Sequence, residues 1–340
     1  MRQTIDHVEE WECRRDEANR HYKRGQFKEY LELSTENLKL ARKVQDRARE
    51  GQALNNVGLA HMSVWQPQQA LNFFHSALFI SQELGDPKAE ATSLSNLGAA
   101  YSHLGQFFQS LDYLNRALAI FREVQDAPGE VATLNDAALV YTKLGEPKRA
   151  LILHHQILAM RQLLGDFSGE ARTLNGIGFA YSTLGQYEQA LEFFQQALPI
   201  QRAVKDLAGE ATTLNNIATT YSDLGQPKQA LLLYHQILLT RKTLNDRSGE
   251  ATTLHNLGFT YSLLSNTRKA LRYYKQAIAI YQELGDRLGE VTTLLNMGGV
   301  YAASRRKLMA RSCYQDAQRL VEFIEHQPLV KKVQEVMDSL

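Results

Sequence analysis

Two apolar stripes stand side by side between residues 206 and 245. Leu214, Ile217, Ala218, Tyr221 and Leu224 recur at the spacing of one helix face, and Ala230, Leu231, Tyr234, Ile237 and Leu238 do so again. Gly225 separates the stripes, and glycine readily takes the left-handed conformation that ends a helix. Pro227 follows, suited to the first helical position, where no N–H is needed. The pattern predicts a helical hairpin, helix A then helix B.

The same pattern recurs along the chain with a period of forty. Asp stands at 6, 46, 86, 126, 166, 206, 246 and 286, and Glu stands four residues after each. Asp is a good N-cap, and the Glu falls in the positive field of the helix N-terminus. The ninth slots hold His326 and Val330, so the pattern stops there. Eight units are predicted: 6–45, 46–85, 86–125, 126–165, 166–205, 206–245, 246–285 and 286–325. The tail, 326–340, places Leu329, Val333, Val336, Met337 and Leu340 on one helical face and reads as a closing helix. The first unit departs most, with Tyr30 and Asn37 where other units carry a small Ala. Pro67, Pro87, Pro128, Pro147, Pro227 and Pro328 fall at predicted helix starts. Pro199 falls inside a helix B, where it removes a hydrogen bond and predicts a local bend.

One hairpin cannot bury its apolar stripes alone, but stacked neighbours can. The fold class expected is all-α, a right-handed solenoid of eight hairpins plus a C-terminal capping helix. Gly58, Gly98, Gly178, Gly258 and Gly298, with Ala138 and Ala218, share one slot. Small residues there let the two helices of a hairpin approach closely.

The residues carry a family resemblance. Leu254, Leu257-Gly258, Tyr261, Ala270 and Tyr274 resemble the tetratricopeptide signature, as do Leu174, Ile177-Gly178, Tyr181, Ala190 and Phe194. The common tetratricopeptide repeat has about 34 residues and a late proline. The forty-residue period and the missing proline resemble the subgroup of kinesin light chain, the Pins-type adaptors and bacterial multi-repeat proteins.

Composition narrows the function. Lys and Arg number 38 and Asp and Glu 37, so no strong non-specific nucleic-acid binding is expected. The two cysteines, Cys13 and Cys313, form neither a disulfide framework nor a metal motif. The first twenty residues are charged throughout and do not read as a signal peptide. No apolar run approaches the ~18 residues of a membrane span. A cytoplasmic protein that inserts in no membrane is expected. There is no Gly-rich phosphate loop, no HExxH and no CxxC, so neither enzymatic activity nor a cofactor or metal is expected. His75, His155 and His235 share a slot in alternate units, too far apart to hold one ion, and read as rim histidines.

Opposite the apolar stripe of helix A lies a mostly neutral face. It carries Asn55, Asn56, Asn96, Asn135, Asn175, Asn215, Asn216, Asn256 and Asn296, with Leu139, Phe179, Phe259 and Leu263 among them. An asparagine amide offers donors and acceptor together and suits the backbone of an extended peptide. The resemblance implies that this face lines a concave groove and that its asparagines hold a peptide. The same amides also suit hydrogen bonds between neighbouring helices. The reading is a non-enzymatic scaffold or adaptor for a protein or peptide partner. Two alternatives are a regulator whose solenoid changes curvature on binding and a structural assembly factor.

Overall fold

The computed structural model describes residues 2–324 and 327–338, which form seventeen helices and no strand. They fall into two compact units, 1–165 and 166–340. The first holds α1 (Arg2–Lys23), α2 (Phe27–Lys43), α3 (Arg47–Ser63), α4 (Pro67–Leu84), α5 (Pro87–His103), α6 (Phe107–Glu123), α7 (Ala127–Lys143) and α8 (Pro147–Leu164). The second holds α9 (Phe167–Thr183), α10 (Tyr187–Ala203), α11 (Leu207–Asp223), α12 (Pro227–Thr243), α13 (Arg247–Leu263) and α14 (Thr267–Leu284). It ends with α15 (Arg287–Ala303), α16 (Lys307–Ile324) and α17 (Gln327–Asp338). Within each unit consecutive helices pack against one another, the arrangement of a solenoid.

The helix starts are set by the recurring aspartates. Asp46 accepts from the Arg49 N–H at 3.0 Å, and Asp206 and Asp246 accept from Gly209 and Gly249 at 2.8 Å each. Asp6 is the exception: α1 begins at Arg2 and runs through it. Residues 2–5 contain no Gly or Pro, and nothing there breaks the helix. The recurring glutamates also clasp the preceding helix. Glu130 pairs with Arg122 at 2.7 Å, Glu210 with Arg202 at 2.7 Å, and Glu50 with Arg42 at 2.9 Å.

The turn after helix A is left-handed, with Gly225 at φ 73°. Among the described residues seven non-glycine residues have the same sign of φ at turns after A or B helices, among them Trp65 at 61° and Arg305 at 59° after A helices. Paired backbone bonds, Gln45 N–H to Arg42 O and Asp46 N–H to Ala41 O at 3.1 Å each, close such turns in the Schellman manner.

The core follows the predicted stripes. Leu214, Ile217, Ala218, Ala230, Tyr234 and Ile237 are buried in one cluster, with Tyr221, Leu231 and Leu238 packed beside it. The shared small slot fits tightly against helix B. A Cβ on Gly178 would sit 2.6 Å from the Phe194 ring, and one on Gly258 would sit 2.6 Å from that of Tyr274. Pro199 lies within α10, which continues to Ala203, so the proline does not shorten the helix. In α17, Val333 is buried, and Val336 and Met337 pack on the same cluster as Tyr301 and Tyr314. The side chain of Leu329, and Leu340, lie outside the described residues.

Candidate functional site

The asparagines stitch helix A to helix A. In the first unit, Asn96 on α5 donates its Nδ2–H to Oδ1 of Asn55 on α3 at 3.1 Å. Asn55, itself buried, donates onward to Ser93 Oγ at 3.0 Å. In the second unit, Asn216 on α11 donates to Asn175 on α9, and Asn256 on α13 donates to Asn215 on α11, each at 3.1 Å. Every rung joins a residue to the one 41 positions later. The amides therefore do not point freely away from the stack. Except for Asn55, these asparagines are half-buried.

Where the sequence changes, the rung changes with it. His255 replaces the acceptor asparagine, and Asn296 Nδ2 donates to its Nε2 at 3.3 Å. The other ring nitrogen meets Thr293 Oγ1 at 2.8 Å. The Thr293 hydroxyl is spent on the Gly289 carbonyl at 2.7 Å, so it accepts from the ring. His255 is thereby assigned as neutral with its proton on Nδ1. Burial pushes its pKa down to about 4.

Three positions form no rung. Asn135 turns its amide to its own helix, donating to Val131 O at 2.8 Å; the residue 41 places on is Gly176. Asp136 takes a donor slot without having an N–H to give. The residue 41 places before it, Ser95, bonds to Thr133 Oγ1 at 3.1 Å instead. Burial pushes Asp136 up to about 6, against the pull of the Lys143 charge. Asn56 has Arg15 at its partner slot. Those two side chains line a cavity of about 390 Å³ with Asn55, Gln52 and Thr92.

The stack bond leaves capacity unused. Among the described residues no protein donor reaches Oδ1 of Asn96, Asn216, Asn256 or Asn296, and each Nδ2 gives one of its two hydrogens. The apolar candidates are exposed: Leu139 50 %, Phe179 46 %, Phe259 38 % and Leu263 48 %. Phe259 and Asn296 line a second cavity, of about 470 Å³, with Ser262, Tyr274 and, from α17, Lys332 and Val336. The histidines His75, His155 and His235 are exposed on B helices, and among the described residues no three His, Cys, Asp or Glu side chains gather as a metal site. No described helix is long and apolar enough to cross a membrane.

One recurring feature escaped the sequence reading. Ser93, Thr133, Thr173, Thr213, Thr253 and Thr293 share a slot and are buried. Most give their hydroxyl to the carbonyl four residues back, as Thr253 does to Gly249 at 2.8 Å. Their period of forty was visible, but a lone hydroxyl on an apolar stripe carries no sign of its partner.

The family model for the tetratricopeptide repeat matches six overlapping stretches, 49–123, 89–163, 130–203, 169–242, 209–283 and 249–322. The chain belongs to the tetratricopeptide repeat family. No curated protein matches it significantly. Solved tetratricopeptide structures share its fold. The apo form of the quorum sensor NprR from B. thuringiensis is 18 % identical with a TM-score of 0.69, over 94 % of this chain and 99 % of that one. A Rap protein complexed with Competence and Sporulation Factor is 14 % identical with a TM-score of 0.63, over 97 % of both chains. The TPR-like repeats of a kinesin-light-chain-type protein from Podosopora anserina are 20 % identical with a TM-score of 0.50, over 58 % of this chain and 97 % of that one.

Proposed function

We propose that this tetratricopeptide protein is a non-enzymatic scaffold that holds an extended peptide segment of a partner protein against its helix A faces. Its frame is eight forty-residue hairpins over 6–325, closed by a capping helix at 326–340. The observation that carries the reading is the unspent capacity of the asparagine rungs. After the bond that ties the helices, Oδ1 and one N–H of each donor asparagine remain, and an extended backbone offers both complements. Phe179, Phe259 and Leu263 stand exposed on the same faces and suit apolar side chains of the segment. The stack bond has a second effect. It fixes each amide before any ligand arrives, so less rotamer entropy is lost on binding. That NprR is a quorum sensor, and that Rap forms a complex with Competence and Sporulation Factor, supports a ligand-holding use of such stacks.

The test is selection of a displayed random-peptide library on the full chain. Recovered peptides are expected to lose binding at least about tenfold in Phe179→Ser/Phe259→Ser, whose changed side chains are exposed and leave the fold intact by circular dichroism. Peptides that bind this variant as well as the wild type, or no recovered peptide, would sink the reading.

A further inference from the structure

The repeat supplies its own baseline for what is unusual in the chain. At the slot of residue 306 the other units carry Gln26, Gln66, Gln106, Glu146, Gln186, Gln226 and Asn266, none of them cationic; the eighth unit has Arg306. At the slot of residue 272, three units carry an acid, Glu32, Asp112 and Glu192, and only the seventh has an arginine. At the slot of residue 275 the other units carry Thr, Asn, Gln or His, and the seventh has Lys275. Three departures of one sign, scattered over two successive units in sequence, meet in space. Arg272, Lys275 and Arg306, with Arg268, line one cavity of about 730 Å³ walled by Leu271 and Tyr301.

No ion pair neutralises the charges there. All four cations are exposed, and among the described residues none of them is in an ion pair. Between residues 264 and 318 the acids are Glu283, Asp286, Glu290 and Asp316. The first three belong to the other end of the hairpins, and Asp316, on α16, is paired with Arg319. Glu283 is held by Arg247, Glu290 accepts from Gln282, and Asp286 caps α15. Four like charges around one cavity repel one another, and an unliganded stack gains nothing from them. An anionic occupant reverses the sign of that interaction. Three of the four are arginines, whose planar forks match carboxylate oxygens two at a time. The wall of Leu271 and Tyr301 adds an apolar surface. Nucleic acid fits less well, because it demands a stripe of cations along its phosphates and the chain as a whole carries a net charge of only +1.

We propose that the cavity between α14 and the α15–α16 turn is a second binding site, which takes an acidic peptide segment of a partner protein. It is separate from the asparagine face, because no rung residue lines it.

The test uses the full chain and a fluorescein-labelled octaglutamate peptide, followed by anisotropy at low salt. Binding is expected, and it weakens at least about tenfold in Arg272→Glu/Lys275→Glu. The neutral pair Arg272→Gln/Lys275→Gln falls between the two. Raising the salt well past physiological strength releases the peptide, because exposed charges are screened within about 8 Å at 0.15 M. Asn216→Ala/Asn256→Ala keeps its affinity for octaglutamate, which separates this site from the proposed groove. Arg272 and Lys275 are exposed, and circular dichroism confirms folding of each variant, the asparagine pair included. Absence of octaglutamate binding, equal binding by the charge-reversed variant, or a single-stranded oligonucleotide that displaces the peptide and binds more tightly would each overturn the proposal.

Discussion

Protonating His255 removes the acceptor that Asn296 needs. The ring sits between Asn296 and Thr293, and burial holds its pKa near 4 against an ordinary 6.5. The folded state therefore binds fewer protons than the unfolded chain between those values. The sign follows: stability from this group is full above pH 6.5 and is lost as pH falls toward 4. Between pH 7 and pH 4.5 the wild type is expected to lose roughly 2–3 kcal/mol more than His255→Asn, which restores the asparagine of the other rungs. Urea midpoints of both proteins across that range check it, and parallel curves would refute the assignment. The recurrence of asparagine was legible in the sequence because a poor helix former keeps returning at period forty. The partner of each amide was not, because helix periodicity says which face a residue takes and nothing about the register between neighbouring helices. A histidine in an asparagine slot carries no local sign of its role; the 41-residue step gives it Asn296 as a donor.

Helix pairs in this chain are gauged by their glycines, and two classes of glycine respond differently to substitution. Gly178 lies inside α9, where a Cβ would meet the Phe194 ring at 2.6 Å and the Ala190 carbonyl at 3.0 Å. Gly225 lies in a turn at φ 73° with open space around it. Gly178→Val is expected to cost about 2–3 kcal/mol by overpacking, whereas Gly225→Ala costs only about 1 kcal/mol of backbone strain. Combining Gly178→Val with Phe194→Ala, whose ring is fully buried, is expected to cost less than the two single losses added together, because the ring that was struck is gone. Thermal denaturation of the wild type, the three single variants and the double variant decides it: equal losses at the two glycines, or a double loss equal to the sum of its singles, would contradict the packing account. Elements were the most legible level. Apolar stripes, Asp caps and left-handed turns each leave a local signature. The exceptions are instructive. Asp6 has the residue type of a cap but no helix-breaking residue ahead of it, and so it lies within α1. The glutamates were read for the helix N-terminus alone, but Glu50, Glu130 and Glu210 also pair with Arg42, Arg122 and Arg202, eight residues earlier, and tie their helices to the one before.

A stack whose members touch only their neighbours is as stable at its end as the element that covers it. In the second unit that element is α17, whose Val333 is buried against a cluster that includes Tyr301, Tyr314 and Val321. Its amphipathic stripe was readable from residue spacing. Its identity as a cover was an inference from the end of the forty-residue period, because local sequence does not record which surface a stripe meets. Deleting residues 327–340 re-exposes that cluster. Burial of Val333 and partial burial of Val336 and Met337 imply a loss of about 2–4 kcal/mol from the terminal hairpin. In a nearest-neighbour stack the loss does not spread evenly. Amide exchange is expected to speed most in α15 and α16, less in α13 and α14, and little in α9 and α10. Binding of a dye that reports exposed apolar surface rises in parallel. Uniform acceleration across the second unit would show an all-or-none body instead, and unchanged exchange in α15 and α16 would show that α17 covers nothing of consequence. The graded outcome also bears on the proposed acidic-peptide site, which lies on α14 and the α15–α16 turn. A ligand bound there stabilises the terminal hairpins against the same local opening, so octaglutamate is expected to slow exchange in α15 and α16 of the truncated chain and to leave α9 and α10 unchanged.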